Sequence, residues 1–498
     1  MNLMMLLEMA SSGMGERVAV QNEGQALSYA ELFRAAGHAA ERLKASGSQR
    51  LAVLDVSSLA IPIGVFASAC AGVPFVPLNY RLTGAELERL LAEISPAMVV
   101  TDPERVEALN ALAGIDAVSR DEFIATSGPD PSGEWPMDPD EIAVLLYTSG
   151  TTGAPKAAIL RHKHLVSYIL GSVEFMSAGE EDAGLLAVPP YHIAGIAAIA
   201  SSIYSGRRIV QLPNFSAERW LELARSERIT NAFVVPTMLA RIIDALGERE
   251  TADLPHLRAL SYGGGKMPLT VIERAMKLLP TTDFTNAYGL TETSSTISLL
   301  GPEEHREAAS SNDSVARRRL VSVGRALPSV EVEIRGADGS RLGPDERGEI
   351  YVRGEQVSGE YLGRDSSVGA DGWFPTRDGG SLDADGYLFL EGRIDDVIVR
   401  GGENLSPGEI EDVLLEHSAV ADAAVVGVPD EQWGEAVAAA VVLRSGHPAT
   451  ETELKQWVKD RLRSSRTPER IEFESELPYN ETGKLLRRVV RARLLETP

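Results

Sequence analysis

Between Tyr147 and Leu160 the chain reads YTSGTTGAPKAAIL, and the first half of that stretch suits an anion. Thr148, Ser149, Thr151 and Thr152 offer hydroxyl donors, Gly150 and Gly153 let backbone N–H groups converge, and Lys156 adds a countercharge. Such a segment buries little and costs backbone entropy, so a ligand is its expected justification. A Walker-type phosphate loop is excluded. That pattern needs Gly directly before the Lys and Ser or Thr directly after it, whereas Pro155 precedes Lys156 and Ala157 follows. Read alone, the stretch fits a phosphate cradle of another geometry or an ordinary polar hairpin.

Six further segments follow in order: PPYHIAG (189–195), SYGGGKMP (261–268), NAYGLTET (286–293), WFPTRDGG (373–380), GRIDDVIVRGGENLSPGEIE (392–411) and NETGKLLRR (480–488). With the opening loop, this series resembles the adenylate-forming superfamily of acyl- and aryl-CoA synthetases, luciferases and peptide-synthetase adenylation domains. The resemblance runs over nearly the whole chain. PLNYRLTGAEL and GGENLSPGEIE make it most similar to the CoA ligases for fatty and aryl acids.

The resemblance implies a carboxylic acid, ATP, Mg²⁺ and coenzyme A as small-molecule partners, in two half-reactions through an acyl-adenylate. A carboxylate and a phosphate are both anions, so the first step needs charge neutralisation and in-line placement more than acid–base groups. By resemblance, Thr148, Ser149, Gly150, Thr151, Thr152, Gly153 and Lys156 hold the departing phosphates, Thr291 touches the α-phosphate, and Glu292 ligates the metal. Adenine lies against Tyr288, within Asn286, Ala287 and Gly289, while Gly263, Gly264 and Gly265 admit a close backbone. Asp378 and Arg393 bind the ribose hydroxyls. Lys484 bridges the substrate carboxylate and the α-phosphate, joining Glu292, Thr291 and His192 in the catalytic set. Rotation about Asp395 then brings Gly401, Gly402 and Glu403 to the site for CoA. Two departures stand out: Arg377 occupies the middle of a usual Thr-Gly-Asp, and Arg400 replaces a usual serine before the glycine pair.

His192 belongs, by resemblance, at the junction of acid pocket and CoA tunnel, with Ile193, Ile196, Val235 and Tyr262 as further pocket residues. No acidic residue follows to hold a substrate ammonium, and the small Ala194, Gly195, Ala197 and Ala198 leave volume. The expected acid is therefore apolar, a fatty or aryl carboxylic acid. Two other readings stay open: transfer of the acyl group to a carrier-protein thiol or another acceptor, and a regulatory nucleotide binder without catalysis. Lys484, Glu292 and Asp378 argue against the second.

These residues need a scaffold. Buried strand patterns such as RLAVLDV, AMVVTD, RRIVQLP and TNAFVVP alternate with helical stretches such as SYAELFRAAGHAAERLKASG, which implies an α/β fold of helix-covered parallel sheets. After about residue 323 the texture becomes alternating and Gly-punctuated, as in antiparallel hairpins. The expected organisation is an N-terminal domain over 1–392 with a β-barrel-like subdomain from about 323, a hinge at 393–396, and a mobile α+β domain over 397–498. REAASSNDSVARRR reads as a surface loop, and His162 and His164 as polar residues at a helix start. The net charge of −24 argues against a nucleic-acid partner, and prolines divide the two longest uncharged runs into pieces too short to span a membrane. Cys70, the single cysteine, sits in the apolar run FASACAGV and reads as core. A cytoplasmic chain is expected, with a homodimer left open.

Overall fold

The computed structural model describes residues 1–128, 134–148, 156–480 and 485–496. Two large sheets carry the first two-thirds of the chain. The nine-stranded sheet has a parallel centre formed by Val18–Asn22, Arg208–Gln211, Ala183–Leu186, Asn231–Val234, Ala259–Gly263 and Asp283–Leu290, with antiparallel strands at both ends. The seven-stranded sheet is parallel from Ile142–Thr148 through Phe75–Pro77, Leu51–Leu54 and Ala97–Thr101 to Ile115–Ser119. Its other edge turns antiparallel with Lys156–Arg161 and then Glu360–Tyr361.

One contiguous core unites both sheets, with Leu51, Phe75 and Val144 from one and Leu185, Val210 and Leu260 from the other. Helix Ala60–Ala71 lies inside it with every residue from Ala60 to Cys70 buried, the all-round apolar character of a helix that never meets water. Burial also pushes the Cys70 thiol up, as expected of a core cysteine. Helix Tyr29–Ser46 starts in a Ser28–Glu31 capping box and stops at Gly47, whose φ of +71° suits glycine.

Strands Val330–Arg335, Gly348–Gly354, Phe374–Leu382 and Leu388–Arg393 form an antiparallel meander with its own apolar core around Ile334, Ile350, Val352 and Phe374. A five-stranded sheet then uses only residues from Ile398 to Phe473, covered by helices Pro407–Leu415, Glu451–Lys459 and Arg487–Glu496. The stretch expected as a surface loop is instead largely helical, in Pro302–Ser310 and Ser314–Arg318. Pro302 opens the first of these, and the Asp313 carboxylate caps the second by accepting from Val315 and Ala316. His162 and His164 do begin helix His162–Ser172, but both are buried.

Those two imidazoles are structural acceptors. Leu3 N–H donates to His162 Nδ1 at 3.2 Å, which pins the N-terminal helix Leu3–Met14, and Arg161 N–H donates to His164 Nδ1 at 3.3 Å. Burial pushes both pKa values down to about 4 from 6.5. Below about 6.5 the unfolded chain therefore takes up protons that the folded chain refuses until about 4. Stability is expected to fall across that window as pH drops, by about 1.4 kcal/mol per pH unit for each histidine at the steepest point. Urea unfolding at several pH values reads this slope, and His162→Gln should remove one histidine's share of it.

Candidate active site

Strands Ala259–Gly263 and Asp283–Leu290 pair in parallel with Gly263 opposite Ala287. A Cβ on Gly263 would sit 2.1 Å from the Ala287 carbonyl oxygen, so the sheet itself demands glycine there. Gly264, exposed at φ +81°, turns the chain outward, and Gly265 follows it at the surface. Asn286 Nδ2 donates to the Ser322 carbonyl at 2.9 Å, tying the strand to the bend that follows the turn Arg319–Val321. Gly289 passes against Ser295, whose carbonyl oxygen would be 1.8 Å from a Cβ.

Tyr288 is buried among Ile297, Val330 and Ile350, and its hydroxyl donates to Asp378 Oδ2 at 2.6 Å. Burial, reinforced by the Asp378 charge, pushes the phenol well up and keeps it a donor. Arg393 places Nε 2.9 Å from Asp378 Oδ1 and donates from Nη1 to the Thr376 carbonyl at 3.0 Å. The sequence assigned Tyr288 to a base and Asp378 and Arg393 to a sugar; the fold joins all three. Arg377, beside them, adopts φ +62°, the conformation that a glycine would take without strain. Its N–H donates to Glu349 Oε1 at 3.2 Å and its Nε lies 3.8 Å from the same atom, while the side chain remains 63% exposed.

Just past the carboxyl end of strand Asp283–Leu290, four residues after Tyr288, Glu292 lies in the turn Thr291–Thr293. Thr293 Oγ1 accepts from Leu290 N–H at 2.9 Å, and the Glu292 carbonyl accepts from Ser358 and Gly359 N–H at 2.8 and 3.3 Å. The Tyr361 hydroxyl donates to Glu292 Oε1, and Lys156 Nζ lies 5.9 Å from the Tyr361 ring centroid. Thr148 and Lys156 face each other across the strand pair that frames the loop. Ser149, Gly150, Thr151, Thr152 and Gly153 lie outside the described residues, as does Lys484. Among the described residues, no group of three or more His, Cys, Asp or Glu could hold a metal ion. A single hard carboxylate at Glu292 nevertheless suits Mg²⁺, which binds through one or two carboxylates plus substrate phosphates.

His192 occupies the N-cap position of helix Ile193–Ser205 without making a cap bond. Its Nε2 is buried with no hydrogen-bond partner among the described residues, and burial pushes its pKa down to about 4, so the ring is neutral. The ring lies 4.8 Å from that of Tyr191, which meets Tyr80 edge-on at 6.0 Å. Ile193 is half-buried and Val235 is buried at the start of helix Pro236–Leu246. Ile196 and Tyr262 have no exposed surface, so a ligand would reach them only after neighbours part. Sequence reasoning missed that Tyr262 is held by His305: the phenol and His305 Nε2 are 2.9 Å apart, and His305 Nδ1 bonds the Gly301 carbonyl at 2.8 Å.

Asp395 lies exposed in the turn Ile394–Asp396, just after Gly392 at φ +109°. Gly401 and Gly402 adopt φ +57° and +84°; the Gly401 N–H donates to the Trp433 carbonyl at 2.8 Å, and a Cβ there would meet the Trp433 ring at 2.8 Å. Glu403 pairs with Arg466 at 3.0 Å. Arg400 is engaged within its own lobe, donating to the Ser465 carbonyl at 2.9 Å, pairing with Glu469, and lying 5.8 Å from the Trp433 ring. Lys266, following the glycine turn, pairs with Asp412 and donates to the Gly408 carbonyl at 3.4 Å.

The chain is similar to known proteins over most of its length. A family model described as AMP-binding enzyme matches residues 7–362, and one described as AMP-binding enzyme C-terminal domain matches 409–484. A feruloyl-CoA synthase of an Amycolatopsis species is 33% identical over 484 residues, covering 95% of each chain. A fatty acid–acyl-carrier-protein ligase of Streptomyces coeruleorubidus is 33% identical over 495 residues, covering 95% of this chain and 93% of its own. The O-succinylbenzoate coenzyme A synthetase of Bacillus subtilis, solved in complex with ATP and magnesium ion, is 31% identical with a TM-score of 0.85, covering 97% of this chain and 98% of its own.

The strain at Arg377 has a measurable consequence. Arg377→Val puts a β-branched residue into the left-handed region and is expected to cost about 2 kcal/mol in urea unfolding. Arg377→Gly should stay within about 0.5 kcal/mol of the parent, since relieved strain offsets glycine's greater unfolded-state entropy. Equal losses in both variants would mean that the Glu349 contact, not the backbone angle, holds this turn.

Proposed function

This chain belongs to the AMP-binding enzyme family, and we propose that it is an ATP-dependent acid–CoA ligase for an apolar aryl or fatty acid. It is an AMP-forming acid–thiol ligase: acid and ATP give acyl-AMP and pyrophosphate, then CoA gives acyl-CoA and AMP. One observation carries the assignment. Strand Asp283–Leu290 and its turn connect the Tyr288–Asp378–Arg393 network to the Glu292 carboxylate, a spacing suited to a nucleoside at one end and its phosphates at the other.

In the first half-reaction Asp378 and Arg393 hold the ribose, and Lys156 with the 148–153 loop holds the β- and γ-phosphates. Mg²⁺ bound at Glu292 would neutralise phosphate charge. Lys484 brings the acid carboxylate onto the α-phosphorus; a C–O–P bond forms as the bond to pyrophosphate breaks, and no proton needs to move. The segment 397–498 then turns about Asp395, withdrawing Lys484 and presenting Gly401, Gly402 and Glu403 to the pantetheine arm. Two observations support that division: the turn at 394–396 separates two sheets with no shared strand, and Gly392 gives the approach unusual backbone freedom. The thiol sulfur attacks the acyl carbon as its proton passes to solvent, AMP leaves with the electrons of the broken C–O bond, and the neutral His192 can accept a hydrogen bond from the thiol beforehand.

Residues 189–205 contain no acidic side chain to hold an ammonium, and the helix there begins with small apolar residues. Together with the feruloyl-CoA synthase relative, this supports an aryl acid. The acyl-carrier-protein ligase relative supports a second reading, in which a carrier's pantetheine thiol replaces CoA at the same glycines. Among the described residues no helix is long and apolar enough to cross a membrane. Use of ATP and CoA and the buried thiol of Cys70 support a cytoplasmic setting.

A panel of aryl and alkyl acids, with and without CoA, should give AMP and acyl-CoA only where CoA is present. AMP release indifferent to CoA across the panel would remove the ligase assignment. Lys484→Ala should lower acyl-adenylate formation by about a hundredfold or more, yet leave conversion of supplied acyl-AMP plus CoA within a few-fold. Equal loss in both half-reactions would count against the two-orientation mechanism.

A further inference from the structure

We infer that Tyr361 is a positioning residue of the nucleotide–metal site, its hydroxyl aiming the Glu292 carboxylate and its ring face holding the Lys156 ammonium. The inference rests on the ATP reading above. Residues 358–361 form a strap between the two halves of the phosphate end. Glu360 and Tyr361 pair antiparallel with Ile159 and Ala158, on the strand that Lys156 begins. Leu362 N–H donates to the Ala157 carbonyl at 2.9 Å, and Ser358 Oγ donates to the Ile159 carbonyl at 2.5 Å. The same strap closes on Glu292 through the Ser358 and Gly359 N–H groups, so it holds that residue by its backbone as well as its side chain.

Strand alternation sorts the two central side chains. Glu360 takes the Arg161 guanidinium in a bidentate pair, at 2.6 and 2.8 Å, which locks the strap in register. Tyr361 points to the opposite face, toward Glu292 and Lys156. Its hydroxyl occupies Oε1, and among the described residues nothing hydrogen-bonds Oε2, which is thereby presented to a cation. Arg393 feels the charges of both Asp378 and Glu292. A neutral donor on Glu292 keeps that carboxylate from competing with Asp378 for the guanidinium. The Tyr361 ring holds the Lys156 ammonium weakly, at 5.9 Å from its centroid and near the limit of a cation–π contact, so a phosphate can draw it away.

The test uses Tyr361→Phe, which removes only the hydroxyl, and Tyr361→Leu, which also removes the ring. Mn²⁺ uptake is followed by EPR with a non-hydrolysable ATP analogue present, and analogue binding is measured separately in EDTA. Tyr361→Phe should weaken Mn²⁺ binding about tenfold, as loss of a partner to a metal ligand does, while metal-free analogue binding stays within twofold. Tyr361→Leu should weaken both. In a Glu292→Gln background, Tyr361→Phe should cause no further loss of Mn²⁺. Normal Mn²⁺ binding by Tyr361→Phe, or equal losses with and without metal, would overturn the inference and leave the ATP reading intact. Failure of the parent protein to bind the analogue at all would overturn both.

Discussion

The hydroxyl of Tyr288 resting on the Asp378 carboxylate is the contact on which the arrangement depends. It joins the last parallel strand of the nine-stranded sheet to the four-stranded meander, two units with otherwise separate hydrogen-bond ladders. A half-buried carboxylate without a partner would be costly, and this one has a neutral donor on one oxygen and Arg393 on the other. Arg393 in turn ends the meander and leads directly into the turn Ile394–Asp396. The position of the C-terminal lobe is thus referred back, through three side chains, to the edge of the main sheet.

The large sheets supply rigidity rather than chemistry. A shared core, with a fully buried and largely apolar helix inside it, leaves little freedom for one sheet to slide on the other. The chemistry-bearing groups sit where parallel strands run out at their carboxyl ends, the usual place for a crevice in such sheets. Tyr288 and Glu292 come from the end of one strand, Gly263 and Gly264 from its parallel neighbour.

Much of this was legible in the sequence because the motifs make local backbone demands. The Gly47 helix stop is set by its own φ, so it is visible without a partner being known, whereas Gly263, which the Ala287 carbonyl requires, was visible only through the motif that contains it. Strands with continuous apolar runs and helices with clear caps were recognisable for the same reason. Tyr361 and His305 were not, since each owes its role to a side chain 69 or 43 residues away and sits in an otherwise polar segment. Arg377 was legible only as a departure. That the backbone keeps a left-handed turn there, with Glu349 as compensation, depends on strand pairing that spacing cannot convey. The helices at 302–318 were masked by serines and arginines, although Pro302 and Asp313 were in the proper places to start them. The same limit applies to Arg400, whose engagement with Glu469 and Ser465 uses partners from a distant turn.

The two-residue strand Glu360–Tyr361 is also where the seven-stranded sheet ends. Lys156–Arg161, paired on one side with Ile142–Thr148, would otherwise present the outward-facing backbone groups of its other side at an open margin. A strand edge of that kind is a template for another polypeptide. Closing it with a short segment, whose Glu360 is committed to Arg161, leaves too little ladder for a second molecule to extend. The segment that serves the phosphate end therefore also guards the protein against self-association through its sheet, and colloidal behaviour and active-site geometry are tied to the same few residues.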